Sequence, residues 1–484
     1  LLASVMSLGG CGELLGVDFD DATMGGDDGT ARAPGADDAP GRDVASGRDG
    51  SGGSSSGTAQ GHRDAGDNAD PQRPDAATSP EAGGGGGGGG GETDGGPDGG
   101  GVPGDGGSNN PGPDAAVGRD AATQTGEPDA GTDPNGPTNT VLPRFAPSLC
   151  DREVRTSIRI TSSRDAINTG ESVCDDVVQQ RGGPPLCVLR GQTITVDQGA
   201  SFRAVGFRVL ALVATGDIDV RGFIDASARG TSMAAGATDP GHPGAAANAS
   251  TGGGGGGGGS THAGGAGGGN ASGGPRWTLD LLRGGAVGGA SGSPQSGEAG
   301  RGGGAVYLVS CKGSITIAAS GGIDASGSGG SPGRGAQRVG TNFLPPGNGG
   351  GGGGGGAIVL EANTLRIAGT LVANGGGGGG GGAALDGEGR AADGVIGADG
   401  ARAEAAALGG AGGANVSRPG GSGGAGGARQ VGPAQGLPGA NGGGSGGGGG
   451  AAGYVVLRSA RTTTPNLSGA VVSPAPLVEA VLTQ

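Results

Sequence analysis

The stretch Val306-Tyr307-Leu308-Val309-Ser310-Cys311-Lys312-Gly313, followed by Ser314-Ile315-Thr316-Ile317 and then Gly322-Ile323-Asp324-Ala325-Ser326, decides how this chain is read. Its first segment is apolar on both faces, as a strand covered on both sides would be. Its second and third alternate, apolar then polar, as strands with one wet face do. The pattern recurs. Val209-Leu210-Ala211-Leu212-Val213-Ala214-Thr215-Gly216 precedes Ile218-Asp219-Val220 and Gly222-Phe223-Ile224-Asp225-Ala226-Ser227. Ile358-Val359-Leu360-Glu361-Ala362 precedes Leu365-Arg366-Ile367 and Gly369-Thr370-Leu371-Val372-Ala373-Asn374, and Tyr454–Ser459 is a half-copy. Modules that repeat in this way stack on one another.

Short strands that return to the same role after a long excursion predict an all-β fold, a glycine-rich parallel β-solenoid over 191–460. Gln192–Val196 and Ala200–Val205 read as its first rungs, with 141–190 capping the open end and 461–484 following as an extended tail. Glycine runs at 252–259, 349–356, 375–382 and 442–450 (one Ser) fill the excursions and lead into the later modules. Two readings of them are open. They are flexible linkers, or they pack on the apolar outer face as extended polyproline-II-like strands, where a missing side chain permits close approach.

Composition limits the rest. Of 484 residues 130 are Gly and 29 Pro, with one Trp, two Tyr and three His. Glycine buries almost no apolar area and loses the most entropy on ordering, which speaks against a conventional enzyme core. The net charge of −15 is uneven. Residues 12–140 carry 24 acids against 6 Arg, and 141–484 carry 21 against 24 bases. Nucleic-acid binding, which wants a basic face, is not expected. The acidic segment 12–140 has no periodicity and almost no large apolar residue, so it reads as a disordered tether extended by its own charge.

The opening run, Leu1 to Gly10 with Cys11 behind it, has the shape of a signal-peptide core and cleavage site, without the basic region and Met that would precede it. Residues 1–11 are therefore expected to be the remainder of a signal. Leu8-Gly9-Gly10-Cys11 resembles the bacterial lipobox, which implies lipidation of Cys11 and a membrane anchor. Gly12 in place of Asp implies the outer membrane. The remaining cysteines suit export: Cys174 and Cys187 enclose a short loop and make the favoured disulfide, Cys150 is able to pair with either, and Cys311 reads as a buried thiol inside a strand.

Candidate chemistry is sparse. Asp217 and Asp219 share one side of a strand, as paired catalytic carboxylates do, while Asp225 and Asp324 fall at one repeat position and read as solvated or turn-stabilising residues. His242 and His262 flank a glycine run without a neighbouring acid or Cys at ligand spacing, so no metal and no cofactor is expected. Trp277 is a sugar-stacking candidate that reads better as a loop anchor. The front end and the Gly-x-Ile-Asp-Ala-Ser modules resemble glycine-rich surface lipoproteins of myxobacteria and relatives, which share glycine content, but no helical N-terminus, with PE-PGRS proteins. Over roughly 190–460 the modules also resemble filamentous-haemagglutinin-type solenoids. That resemblance implies a non-catalytic structural or adhesive role at the cell surface, with extracellular polysaccharide or surface proteins as partners. The alternatives are a polysaccharide-active β-helix enzyme, which Asp217→Asn would disable, and binding of ice or another surface.

Overall fold

A computed structural model describes residues 140–483 except 153, 164–165, 231, 238–243, 247–252, 293–294 and 461–462. Cys11, the lipobox, the acidic tether and His242 lie outside the described residues. Among the described residues, the one helix is a single 3-10 turn, Pro147–Cys150, and no helix is long and apolar enough to cross a membrane. The fold is all-β.

Three sheets are parallel or nearly so. The largest runs Leu477–Ala480, Tyr454–Ser459, Ala357–Glu361, Ala305–Ser310, Val209–Ala214, Leu186–Gly191, Asp176–Val178, antiparallel only at the last pair. A second orders Val471–Ser473, Thr370–Val372, Gly322–Asp324, Phe223–Asp225, Ser201–Val205 and Ile167–Asn168. The third orders Thr364–Ile367, Ser314–Ile317, Ile218–Val220, Ile194–Val196 and Ile158–Ile160. From Leu186 to Val372 the chain visits largest, third and second sheet in the same order on each pass. Pairing extends past both expected boundaries. Ile158–Ile160 and Ile167–Asn168, from the expected cap, join the stacks, and Val471–Ser473 and Leu477–Ala480, from the expected tail, make their last strands.

Registers follow the apolar pattern. Ile224, Ile323 and Leu371 are in line, as are Ile218, Ile315 and Leu365. In the largest sheet Leu210, Val306, Ile358 and Val455 are in line, so the second copy has one more residue than the first between its first two strands. A slip of one would turn every side chain over. In the observed register Leu210, Leu212, Val306, Leu308, Ile358 and Leu360 point inward and meet the isoleucines of the other sheets in one buried cluster. Each such side chain contributes roughly 1.5–3 kcal/mol.

The outward face of the largest sheet is equally apolar, and Val209, Ala211, Tyr307, Val359 and Val456 on it are all buried. Apolar side chains cover it, and Gly236 lies against Val209. Leu149 of the 3-10 turn and Ala146 just before it, with Trp277, Leu279 and Leu282, pack there, and Phe145 meets Tyr307 edge-on at 5.5 Å. Glycine offers no apolar area with which to cover such a face, whereas these residues do. A disulfide between Cys150 and Cys311 fastens the turn to the sheet, so Cys311 is half of a bridge and not a buried thiol. Cys311 lies just past its strand on the face where the turn docks. Cys174 and Cys187 form the second disulfide.

The glycine runs pack against one another. Gly350 and Gly353 donate to the carbonyls of Ser331 and Ser328, Gly351 and Gly354 to Gly289 and Ala286, Gly352 and Gly355 to Gly448 and Ala451. One partner per phase, repeating every third residue, is the signature of a polyproline-II helix, which has three residues per turn and no internal bonds. Its carbonyls receive bonds from three further segments: Gly255 and Gly258 donate to Gly349 and Gly352, Gly300 and Gly303 to Gly351 and Gly354, Gly379 and Gly376 to Gly350 and Gly353. Residues 349–356 therefore have six neighbours. So do 375–382, which donate toward 421–427, 347–353 and 395–398 and accept from 330–333, 410–413 and 444–450. The array continues directly into the sheets, since Gly356 donates to Ala325 and Ala357 to Gly304.

Candidate functional site

The carboxylates singled out by the repeat occupy two different settings. Asp217, just before the strand Ile218–Val220, accepts from the backbone N–H and hydroxyl of Ser314 on the next pass, at 2.7 and 2.9 Å. Asp219 is paired with Arg221, just past the end of its own strand. The two acids weighed as a possible catalytic pair thus have separate partners.

Asp225 and Asp324 are neighbours in register, and neither is solvated: they are 6% and 2% exposed. Each turns its chain locally, accepting from the backbone N–H of Ser227 or Ser326 at 3.0 Å. The second oxygens converge on one guanidinium. Arg402 reaches Asp324 at 2.9 Å and Asp225 at 2.8 Å, while Arg229 adds 2.9 Å to Asp225. Arg402 also lies 4.3 Å above the Phe223 ring. Its segment is pinned by Asn374, whose amide donates to the Ala401 and Ala403 carbonyls at 2.7 Å each. Burial raises the Asp324 carboxyl above its ordinary value, against the pull of Ser326 and Arg402. A carboxylate closed off by a clamped arginine has no access to a substrate. The solvated reading is corrected, because 400–403 roof this position.

A second buried constellation had not been anticipated. Glu361 and Arg458 face each other across adjacent strands, paired at 2.6 Å with Glu361 fully buried. The Arg144 backbone donates to Glu361 at 3.1 Å, and the Arg144 side chain and Arg458 both reach Glu479. Both ends of the described chain thus join one charged cluster, Arg144 at Glu361 itself and Glu479 through Arg144 and Arg458. Desolvation raises Glu361, opposed first by Arg458. It also raises the Tyr307 hydroxyl, to which the nearby Glu361 charge adds. The signal was present in the sequence, as opposite charges at the same offset in otherwise apolar modules.

Trp277 is 5% exposed, with its ring 4.9 Å from Tyr454 and beneath Arg283 at 4.3 Å. The Tyr454 hydroxyl donates to its carbonyl. It is an anchor, with no open face for a sugar. The exposed His262 has Nδ1 3.0 Å from the Thr261 hydroxyl, and among the described residues no group of three or more His, Cys, Asp or Glu is placed to hold a metal ion. A groove of about 770 Å³ lies among Ala391, Ala392, Ala411 and Val416, and Asp386 and Arg390 on it pair with each other. A smaller cavity lies beside Tyr454 and carries Thr261, His262, Arg276 and Arg429. Comparison with protein-family models, with curated proteins and with solved structures gives no match for this chain.

Proposed function

We propose that the three sheets are the stacked faces of a glycine-rich β-solenoid, and that this body is a non-catalytic, lipid-anchored structural or adhesive element at the bacterial cell surface. Several features of the chain support this reading. The lipobox-like Leu8-Gly9-Gly10-Cys11 supplies the anchor, and the acidic, Gly- and Pro-rich composition of 12–140 suits a spacer between membrane and body. Two disulfides suit an oxidising compartment. The observation that carries the non-catalytic part is the closure of Asp225 and Asp324, the acids that recur at one repeat position, under Arg402. Asp217 is exposed but engages one oxygen with Ser314, and Asp219 is paired with Arg221. General acid–base work on a polysaccharide needs carboxylates open to the glycosidic oxygen and to water.

Protease shaving of intact cells, with the shed peptides identified by mass spectrometry, tests the reading. Release of a large fragment beginning near Val141 is expected. Complete protection until the outer membrane is broken would contradict surface display and leave an envelope scaffold in the periplasm.

A further inference from the structure

A cavity of about 330 Å³ opens beside Tyr454, where the glycine array meets the largest sheet. At the small end of ligand-pocket sizes, it has room for one or two sugar rings. Its floor is apolar, with Pro474, Ala475 and Leu477 among its lining residues. Arg276, Arg429, His262 and the amide of Gln430 stand around it, and no carboxylate lines it. Outside the lining, Glu404 is held by one nitrogen of Arg429 at 2.7 Å, and both of these side chains are exposed.

The backbone at Arg429 is out of the ordinary. Ala428 and Val431 exchange hydrogen bonds of 3.1 and 2.7 Å around the two-residue turn Arg429-Gln430. Arg429 has φ +50°, a conformation for which glycine is preferred. The other non-glycine residues with positive φ among the described residues are Asn270 and Asn441, of the type that tolerates it. In a chain with 130 glycines this turn carries an arginine. The conformation is fixed from behind, for the Arg429 N–H donates to the Ser473 hydroxyl at 2.7 Å, which donates to Asn374 at 2.6 Å. Strain held in place by surrounding bonds is a mark of functional positions.

We propose that this cavity binds a carboxylated sugar ring, a uronate unit of an acidic polysaccharide. A guanidinium pairs a carboxylate through two parallel hydrogen bonds. The apolar floor accepts the C–H face of a pyranose, and Gln430 serves its hydroxyls. This rests on the adhesive reading and gives it a ligand class.

The test is calorimetric titration of the purified chain with galacturonate, its trimer, the neutral galactose trimer and inorganic phosphate. The uronate trimer is expected to bind at least tenfold more tightly than the neutral trimer, and monomeric galacturonate to bind more weakly if the polymer is the natural source. Arg429→Gly should lose at least tenfold while keeping or raising the thermal midpoint, because glycine relieves the positive φ; Arg276→Ala should also weaken binding. Equal binding of the neutral trimer, unchanged affinity in Arg429→Gly, or phosphate competing as well as the trimer would overturn the assignment. These results leave surface display to be judged by shaving. Conversely, a periplasmic location would sink the display reading and leave the measured affinity intact.

Discussion

Glu361 sits in the driest part of the largest sheet, yet its cross-strand partner Arg458 does not hold it at the ordinary carboxyl value; burial wins and raises it. Two ions taken out of water are compensated incompletely by their mutual attraction. The folded chain therefore keeps this proton to a higher pH than the unfolded chain does. The stability so contributed is fully present below the ordinary carboxyl value and is lost as pH rises through the folded value. Glu361→Gln removes the titration but keeps the shape. The variant is expected to melt close to wild type at pH 4, where Glu361 keeps its proton, and above it at pH 7, in parallel thermal scans. A gap that opens on acidification would contradict the account. Asp324 follows the same sign, with Ser326 and Arg402 resisting.

At the scale of elements, the glycine pattern records how many neighbours a polyproline helix has. Inside the array, where six neighbours press on all three faces, every position is glycine, as over 349–356 and 375–382. One face opens in Gly409-Gly410-Ala411-Gly412-Gly413-Ala414, where Leu408, Ala411 and Ala414 are exposed. Two open in Gly394-Val395-Ile396-Gly397, where Val395 and Ile396 are exposed. A Cβ at Gly353 would fall inside 3.0 Å of the Arg301 carbonyl oxygen, a backbone atom that cannot give way, whereas one at Gly432 would meet nothing within 4 Å. Gly353→Ala should thus cost more than about 4 kcal/mol, in the range that marks overpacking against fixed structure, and Gly432→Ala less than about 0.5 kcal/mol. Denaturant melts of the two variants check this, and equal stability would refute the packing.

The strands and their inward and outward faces were legible in the sequence because period-two alternation in Ile218-Asp219-Val220 and its copies has one reading. The one-residue slip between Val209 and Val306 was not, because the first strand is apolar on both faces and fits either register. The Cys150–Cys311 bridge and the Arg402 clamp were hidden for a different reason. Their partners are 161 and 78 residues apart, and long excursions carry no signal of where they land.

For the molecule as a whole, sheets and glycine array are one structure. The chain alternates between them on each pass, and their hydrogen bonds run across the join, from Gly356 to Ala325 and from Gly453 to Ala373. The array has almost no side chains with which to form a core of its own. Its order is upheld by bonds to neighbouring helices and by the strands that launch and receive them, so the two should unfold together. Hydrogen exchange of the intact chain, resolved to the peptides spanning 349–356, 375–382 and Ala305–Ser310, measures this directly. The account predicts that the glycine amides are protected to the same degree as the strand and are lost with it. Glycine amides exchanging at random-coil rates beside a protected strand would show that the runs are linkers, and the account would fail.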